Sequence, residues 1–463
     1  MTLIKSISGI RGTIGGKPFD NLTPLDIVKF TASYAQWVKE ENQSKICTVI
    51  LGRDARISGQ MVRDMVVGTL TGSGINVIDI GLATTPTTEI AVTHLKAQGG
   101  IILTASHNPA QWNALKLLNS HGEFISASDG ARILDLAINE AFEFSSYNAL
   151  GNCTMNSEMN RVHIEEILKL DCVDTAAIRE AGYSVAIDCV NSVGGVIIPQ
   201  LLERLGVKRI IPLYCNPDGL FPHNPEPLPE NLSEIAALVK HEKAHVGFVV
   251  DPDVDRLAIL NEDGTMFGEE YTLVAIADYI LQLESGGNTV SNLSSTQALK
   301  DITVQHGGKY SAAAVGEVNV VEKMKQTGAV IGGEGNGGVI YPKLHYGRDA
   351  LVGIALFLSH LAKSGMKCSE LRAKYPNYTI SKNKIELTPD TDVNRVLEAI
   401  KQTYAMEEVN DTDGVKITLK GEWVHLRKSN TEPIIRIYAE STDKLKADKL
   451  AISIIEKIKS MLL

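Results

Sequence analysis

Four loops of the chain carry residue types that could do chemistry, and the first is built around a serine. The apolar run 101–103 is typical of a buried strand, and the polar turn that follows it carries Ser106. Because Asn108 and Pro109 can continue neither a strand nor a helix, we expect the Ser106 hydroxyl at a strand end, where α/β sheets bind ligands. A serine that only accepts a turn amide would have the same local sequence.

The second loop presents three aspartates at alternate positions. Asp251, Asp253 and Asp255 follow the apolar run 248–250. In an extended segment this spacing places the three carboxylates on one face, about 6.5 Å apart, where each neighbouring pair repels by roughly 2–3 kcal/mol at an effective dielectric near 20. A hard divalent cation removes this repulsion, and Mg²⁺ fits because it takes few protein oxygens and leaves room for phosphate. The alternative is a solvated acidic turn.

Two further loops suit a phosphorylated sugar. Glu334 and Asn336 lie in the glycine-rich stretch 332–338, where an acidic acceptor suits sugar hydroxyls better than phosphate. A fourth loop combines guanidinium, ammonium, hydroxyl and amide groups that together can hold a phosphate. Its residues are Arg427, Lys428, Ser429, Asn430 and Thr431, with Arg436 on the following strand. Taken alone, the glycine-rich loop is equally consistent with a flexible hairpin. The basic loop, taken alone, is equally consistent with an ordinary basic surface loop.

Composition restricts the class of protein. The chain has 463 residues and a net charge of −10, and no segment is densely basic, which argues against a nucleic-acid partner. The longest apolar helix candidate, 350–362, is too short to span a bilayer, and the first residues lack the apolar core of a signal peptide. The six cysteines show no Cys-x-x-Cys spacing. We therefore expect a reduced, cytoplasmic protein with no membrane partner.

The elements that must position these loops repeat one arrangement three times. A helix and a short link lead to an apolar strand, a loop with chemical groups and an antiparallel return. Alternating strands and helices indicate a largely parallel sheet with helices on both faces. We predict an α/β protein with three similar mixed-sheet α/β domains and a smaller C-terminal α+β domain. The predicted boundaries are 1–150 (serine loop), 151–258 (aspartate loop), 259–372 (glycine-rich loop) and 373–463 (basic loop).

Together, a nucleophilic hydroxyl, a metal site, a sugar loop and a phosphate cradle favour phosphoryl transfer to a sugar. The chain contains five motifs in this order: Ser8-Gly9-Ile10-Arg11-Gly12, Thr104-Ala105-Ser106-His107-Asn108-Pro109 with Asn113 and Lys116, Asp251-Pro252-Asp253-Val254-Asp255-Arg256, Gly333-Glu334-Gly335-Asn336-Gly337-Gly338, and Arg427-Lys428-Ser429-Asn430-Thr431-Glu432-Pro433. In these motifs, in their order and in their spread over the whole length, the chain resembles the α-D-phosphohexomutase family.

The resemblance implies four domains around a central cleft and a phosphorylated serine at Ser106. It implies that this phosphate and the aspartates Asp251, Asp253 and Asp255 bind Mg²⁺. The phosphoserine would donate to a hexose 6-phosphate or 1-phosphate, and the hexose 1,6-bisphosphate would turn round before returning its other phosphate to the serine. The expected partner is therefore a small phosphosugar, bound by a monomer or a homodimer.

The resemblance also implies roles for other residues. Lys116 and Arg11 match positions used in proton transfer and charge stabilisation, and His107 adjoins the serine. Arg256, Glu334 and Asn336 are expected to bind substrate. The clamp for the phosphate that is not being transferred is expected to consist of Arg427, Ser429, Asn430 and Thr431. Arg436, on the strand after this loop, is expected to bind substrate as well.

The chain departs from the family pattern in two loops. Ala114 replaces a frequent glycine, and Asn336 and Gly338 stand where the family commonly has serine and sometimes histidine. The acid–base role of such a histidine therefore has no counterpart in this loop. The motif 333–338, followed by 346–349, is most similar to phosphoglucosamine mutases, which predicts conversion of glucosamine 6-phosphate to glucosamine 1-phosphate. Phosphoglucomutase or phosphomannomutase activity remains the alternative.

Two proposals from other classes compete with this one. The run 248–254 also matches the signature of haloacid-dehalogenase phosphatases, in which Asp251 would be the phosphorylated nucleophile. That proposal finds no convincing later acidic motif and leaves Ser106 without a role. A non-catalytic sugar-phosphate-binding protein would have no use for a nucleophile beside a metal.

Overall fold

The computed structural model describes residues 2–6, 9–42, 46–387, 392–428 and 434–462. The chain forms two compact units. Unit 1 comprises Met1–Thr272 and Asn336–Glu370, and unit 2 comprises Leu273–Gly335 and Leu371–Leu463. The predicted boundaries of four domains stay a prediction.

Strands and helices alternate along most of the described part of the chain. They are β1 (Ile4–Ser6), β2 (Gly9–Thr13), β3 (Thr48–Arg53), β4 (Asn76–Leu82), β5 (Gly99–Leu103), β6 (Trp112–Leu118), β7 (Cys153–Met155), β8 (Ser184–Asp188), β9 (Arg209–Leu213), β10 (Val246–Val250), β11 (Leu257–Asn261), β12 (Asn288–Asn292), β13 (Tyr310–Ala313), β14 (Ala329–Glu334), β15 (Gly338–Ile340), β16 (Thr379–Glu386), β17 (Glu408–Asn410), β18 (Val415–Leu419), β19 (Glu422–Lys428) and β20 (Ile434–Ser441).

The α-helices are mostly three to five turns long. They are α1 (Pro24–Asn42), α2 (Gly59–Gly72), α3 (Thr85–His94), α4 (Ala127–Ile138), α5 (Met159–Leu168), α6 (Thr175–Ala181), α7 (Gly194–Leu205), α8 (Ser233–Glu242), α9 (Glu269–Leu283), α10 (Ala298–Gln305), α11 (Glu317–Thr327), α12 (Ala350–Ser364), α13 (Cys368–Ala373), α14 (Val393–Thr403) and α15 (Lys444–Leu462).

Unit 1 contains two mixed sheets that present loops at their strand ends. The first has the order β1-β2-β6-β5-β3-β4-β7, with β5, β3 and β4 parallel and β6 antiparallel to β5. The second has the order β11-β10-β8-β9, with β10 parallel to β8 and antiparallel to β11. The predicted sequence of apolar strand, loop and antiparallel return is thus confirmed for β5–β6 and β10–β11. Both β5 and β10 are buried along their whole length, as continuous apolar runs predict.

Unit 2 contains a parallel arrangement and an antiparallel sheet. β12 pairs in parallel with β13 and with β14. The C-terminal sheet has the order β16-β20-β19-β18-β17 and is antiparallel throughout. Helices α14 and α15 contribute Ile400 and Ile454 to the core beneath this sheet. The predicted fold class, α/β sheets with a C-terminal α+β part, is confirmed.

Helix α12 is the apolar helix candidate of the sequence analysis, and it is a core helix. Twelve of its residues are buried, from Ala350 to Leu361. Asp349 caps its first turn, because Asp349 Oδ1 accepts hydrogen bonds from Leu351 N at 2.8 Å and Val352 N at 3.3 Å. Among the described residues, no helix combines the length and the apolar character that crossing a bilayer requires.

The cap of α12 also belongs to a buried polar network in unit 1. Asp349 Oδ2 lies 2.9 Å from His163 Nε2 and 3.3 Å from His345 Nε2. His345 Nδ1 lies 3.2 Å from Glu89 Oε2 on α3, and His163 Nδ1 lies 2.9 Å from Thr87 Oγ1 on the same helix. The network therefore ties α3, α5 and the start of α12 together.

The network makes stability depend on pH. Burial alone would lower the pKa of His345, but the hydrogen bond to Asp349 and the nearby carboxylate of Glu89 raise it to about 10. An unfolded histidine has a pKa near 6.5, so the stabilisation is fully present below about pH 6.5 and is lost as the pH rises toward 10.

For His345→Gln we expect a loss of unfolding free energy of the order of a few kcal/mol at pH 6 that shrinks as the pH approaches 10. Urea unfolding at pH 6, 8 and 10 measures this difference. His94→Gln, an exposed histidine at the end of α3, is the matched control and should show no such pH-dependent loss. A His345→Gln deficit that stays constant across these pH values contradicts the prediction.

Candidate functional site

Ser106 lies in the turn that follows β5, as the sequence analysis predicts. Its φ of 50° is in the left-handed region, which is unusual for a residue with a side chain. Two hydrogen bonds fix the residue: Ser106 N donates to Thr104 Oγ1 at 3.0 Å, and Ser106 Oγ donates to Asp251 Oδ2 at 2.9 Å. The hydroxyl is therefore held directly against the aspartate loop after β10.

Arg56 supports the serine turn through hydrogen bonds to its backbone, and the sequence analysis did not identify this residue. Its guanidinium is fully buried and its Nε donates to Asp54 Oδ2 at 3.0 Å. The guanidinium donates to the backbone carbonyls of Ser106 (2.5 Å), Asn108 (2.7 Å), Pro109 (2.8 Å) and Trp112 (3.0 Å). One charged group thus satisfies three carbonyls of an irregular turn and that of the first residue of β6, and stabilises the strained serine backbone.

The sequence feature that could have identified Arg56 is its position after β3. β3 and β5 are parallel neighbours, with Arg53 opposite Leu103, so the residues that follow both strands meet at one edge of the sheet. The proline-rich stretch 216–227 packs on the same group, with the ring of Phe221 centred 5.1 Å from Arg56 Cζ.

The three aspartates of the second loop come together, but not in the predicted way. The prediction of an extended segment is wrong: Val254 has a φ of 63°, and its N–H donates to the carbonyl of Asp251 at 3.1 Å, which closes a turn. The turn brings one oxygen of each aspartate within 4.8 Å of one from each of the others. Turning the chain, rather than alternating side chains along a strand, makes the carboxylates converge.

The carboxylate oxygens divide into those bound by protein and those left over. Asp251 Oδ1 accepts from the backbone N–H groups of Asp255 and Arg256, both at 3.2 Å. Asp253 Oδ2 accepts from Thr85 Oγ1 at 2.6 Å and from Lys116 Nζ at 2.7 Å. Asp253 Oδ1 and Asp255 Oδ1 are buried and have no hydrogen-bond partner. Buried carboxylate oxygens without donors are costly, so this donor set fits a hard divalent cation.

The electrostatics agree with this division. Burial, together with the carboxylates of Asp255 and Asp253, raises the pKa of Asp251 well above its ordinary value. Burial opposes the charged form of Lys116, but Asp253 and Asp255 raise its pKa above the usual range, so the ammonium stays charged. Lys116 Nζ is 3.6 Å from Asp255 Oδ2, which places it between two of the three acids.

Three more predicted residues lie in unit 1, on or near the loops that carry the serine and the aspartates. His107 Nδ1 is 3.4 Å from Ser106 Oγ, and burial together with Arg256 lowers the pKa of His107 to about 3. Arg11 is on β2, next to the strand that carries Lys116, and its buried Nε has no hydrogen-bond partner. Arg256 Nε is 3.9 Å from oxygens of both Asp251 and Asp255.

The predicted sugar and phosphate residues divide between the units. In unit 1, Asn336 Oδ1 accepts from the N–H of Gly338 at 3.2 Å. In unit 2, buried Glu334 accepts from Asn292 Nδ2 at 2.8 Å and from Gly316 N at 3.2 Å. These bonds fix the carboxylate in one orientation.

The basic loop of unit 2 is described only at its two ends. Arg427 on β19 stands directly opposite Arg436 on β20, and Asp413 Oδ2 lies 3.0 Å from Arg427 Nε. Like charges opposite each other in a sheet repel, so an anion at this position would be stabilising. The predicted clamp residues Ser429, Asn430 and Thr431 lie outside the described residues.

Family models match the chain from near its start to near its end. Residues 3–144, 161–264 and 268–378 match phosphoglucomutase/phosphomannomutase alpha/beta/alpha domains I, II and III, and residues 383–457 match the C-terminal domain of the same family.

Named relatives and solved structures agree with these matches. A phosphoglucomutase/phosphomannomutase of Thermococcus kodakarensis is 35% identical over 94% of this chain and 95% of its own. A phosphoglucosamine/phosphogalactosamine mutase of Sulfurisphaera tokodaii is 32% identical over 96% of each chain. The crystal structure of a phosphoglucomutase/phosphomannomutase family protein from Burkholderia thailandensis covers 99% of this chain and 98% of its own, with a TM-score of 0.84 and 23% identity, and so has the same fold. The chain therefore belongs to the phosphoglucomutase/phosphomannomutase family and is an intramolecular phosphotransferase of the phosphohexomutase class.

Proposed function

We propose that the protein converts glucosamine 6-phosphate to glucosamine 1-phosphate through a phosphoserine at Ser106 and a hexose 1,6-bisphosphate. The observation that carries this proposal is the 2.9 Å hydrogen bond from Ser106 Oγ to Asp251 Oδ2, inside a group of three buried carboxylates. A nucleophilic hydroxyl beside a site for a divalent cation is the arrangement that phosphoryl transfer requires.

The chemical step exchanges one P–O bond for another. The bond from phosphorus to Ser106 Oγ breaks, and a bond to the free sugar hydroxyl forms. The sugar hydroxyl loses its proton as the new bond forms, and Oγ regains a proton when it leaves. His107, whose lowered pKa keeps its imidazole neutral, has Nδ1 3.4 Å from Oγ and can relay this proton between its two ring nitrogens without storing it, while Lys116 and Arg11 neutralise charge on the moving phosphoryl group.

Asp251, Asp253 and Asp255 would hold Mg²⁺ together with the phosphate on Ser106. The bound ion supplies charge neutralisation at the phosphoryl oxygens. Asp253 Oδ1 and Asp255 Oδ1 support this role, since both are buried without a donor. The rival phosphatase mechanism is not favoured, because relatives that cover nearly the whole chain are named mutases and because it leaves Ser106, whose Oγ donates to Asp251, without a role.

Substrate preference is supported by relatives and by one loop. Relatives that cover nearly the whole chain are named phosphoglucosamine mutase, and Glu334 offers a buried carboxylate suited to the amino or hydroxyl groups of a sugar. Arg427 and Arg436 are proposed to hold the idle phosphate. Phosphoglucomutase/phosphomannomutase activity is the second candidate, because the Thermococcus kodakarensis relative has that name.

The preference is tested by comparing glucosamine, glucose and mannose 6-phosphates at equal concentration, each with its bisphosphate supplied. We expect the highest kcat/KM with glucosamine 6-phosphate. Higher kcat/KM with glucose or mannose 6-phosphate would contradict the glucosamine assignment and favour the second candidate.

For Ser106→Ala we expect mutase turnover to fall by at least about 10³-fold, because the phosphoryl carrier is removed. Incubation with bisphosphosugar followed by intact-mass measurement should show one added phosphate on the wild type and none on the variant. Ser128→Ala, an exposed serine in α4, is the matched control. Near-normal turnover by Ser106→Ala would remove the mechanism.

For Asp253→Ala we expect the response of the rate to Mg²⁺ to be lost and activity to fall by about 100-fold or more, since a bound metal contributes several kcal/mol to the transition state. A titration of rate against Mg²⁺ measures both effects. Asp64→Ala removes an exposed carboxylate of α2 and should leave the titration unchanged. An unaltered Mg²⁺ dependence in Asp253→Ala would place the metal elsewhere.

A further inference from the structure

Arg348 contacts the aspartate loop, yet it has no part in the roles assigned above. Its Nη2 donates to Asp255 Oδ2 at 2.7 Å, and its side chain is only 10% exposed. Burial opposes ionisation of Asp255, but Arg348, followed by Lys116 and Arg256, lowers the pKa of that carboxyl below its usual range.

Gly338 leaves room for this side chain. A Cβ at Gly338 would lie 2.4 Å from Arg348 Cδ and 3.1 Å from Arg348 Cγ. Contacts of 2.4 Å are far too short for carbon atoms, so any larger residue at this position would have to push the Arg348 side chain aside. The stem of Arg348 thus fills the space where a side chain of residue 338 would be.

The backbone around Arg348 is held from two sides. Residue 348 bridges to Ile340 in β15, and the N–H of Asp349 donates to the carbonyl of Val339 at 2.8 Å. On the other side, the N–H of Ala350 donates to the carbonyl of Val254, inside the aspartate loop, at 3.2 Å. Because Asp349 also caps α12, the guanidinium extends from a rigid support.

A guanidinium beside a cation site has an electrostatic cost. Its charge repels a divalent ion and should weaken metal binding unless it has a compensating geometric effect. The geometry provides a compensating effect, because Arg348 binds Oδ2 of Asp255 while Oδ1 of the same carboxylate stays buried and has no hydrogen-bond donor. Partners of this kind, which orient a ligating group, change metal affinity by about 10–100-fold.

We propose that Arg348 is a positioning residue, which binds Asp255 Oδ2 so that Oδ1 is presented to a divalent cation, and that Gly338 is required because the Arg348 side chain occupies its space. This inference rests on the proposed function of the three aspartates as cation ligands.

The test compares two replacements of Arg348 by the Mn²⁺ affinity of the purified full-length protein, read from the electron paramagnetic resonance of free Mn²⁺. Arg348→Lys keeps a charged donor that can reach Asp255, whereas Arg348→Met keeps the length of the stem without a donor or charge. We expect Mn²⁺ dissociation constants within about threefold of wild type for Lys and raised about 10-fold or more for Met. In turnover assays the Mg²⁺ activation constant should rise for Met, while KM for the phosphosugar stays unchanged.

The role of Gly338 is tested by a double-mutant cycle. Gly338→Ala should weaken Mn²⁺ binding in the wild-type background, because it displaces Arg348, and should have no further effect when combined with Arg348→Ala. Circular dichroism spectra and unfolding midpoints of the variants establish that each is folded.

The outcomes separate this inference from the proposed function. If Arg348→Met binds Mn²⁺ as well as or better than wild type, or if the effects of Gly338→Ala and Arg348→Ala simply add, the positioning role is overturned. Asp253→Asn is the arm that tests the metal site itself. If its Mn²⁺ affinity equals that of wild type, the proposed aspartate site is overturned and the inference with it.

Discussion

Mutual repulsion of three buried carboxylates is the constraint on which the site of unit 1 depends. Oxygens of Asp251, Asp253 and Asp255 lie within 4.8 Å of one another, a distance at which two unit charges repel by about 3–4 kcal/mol at an effective dielectric near 20. The fold opposes this repulsion with cations from separate segments. Lys116 comes from β6, Arg256 from the aspartate loop itself and Arg348 from the segment before α12. Each of these contacts joins segments that are distant in the sequence or closes the loop on itself, so the cations that oppose the repulsion also link β6, the aspartate loop and the segment before α12.

The two reactive turns are strained in the same way and are supported differently. Ser106 and Val254 both have left-handed backbone conformations, which cost a residue with a side chain of the order of 1 kcal/mol or more. The serine turn is supported by the buried guanidinium of Arg56, which donates to four backbone carbonyls between Ser106 and Trp112. The aspartate turn is supported by backbone N–H groups that donate to Asp251 and by Thr85, whose N–H donates to the carbonyl of Asp253 at 2.9 Å. Polar groups of irregular backbone are thus satisfied by side chains and neighbouring loops, as buried turns require.

How much of this could be predicted from the sequence depended on whether the signal was local. Ser106 and the three aspartates could be identified because their loops each follow an apolar strand. The fold class could be predicted from the alternation of strands and helices. Arg56 and Thr85 also follow strands, β3 and β4, but their own residue types and spacing do not mark them, and the same holds for Arg348. Their importance comes from neighbours in the sheet and from contacts across 50 to 168 positions of the chain. The prediction of an extended aspartate segment was wrong for a related reason. The alternation of aspartates does not reveal that Val254 has a left-handed backbone conformation, and no glycine marks a turn at that position.

The charges around the aspartates suggest why the serine phosphate and the metal belong together. Burial and the neighbouring acids raise the pKa of Asp251, but when all three carboxylates are ionised they match the charge of the three cations Lys116, Arg256 and Arg348. A divalent cation added by itself would leave this buried group with excess positive charge, and a phosphate on Ser106, which carries about −1.5 to −2 at pH 7, would leave it negative. When the cation and the phosphate bind together, their charges cancel. Neither ion is then buried in a site that has a net charge of the same sign. The free Oδ1 atoms of Asp253 and Asp255 then offer the cation its protein ligands, while the phosphate on the adjacent Ser106 Oγ completes the balance.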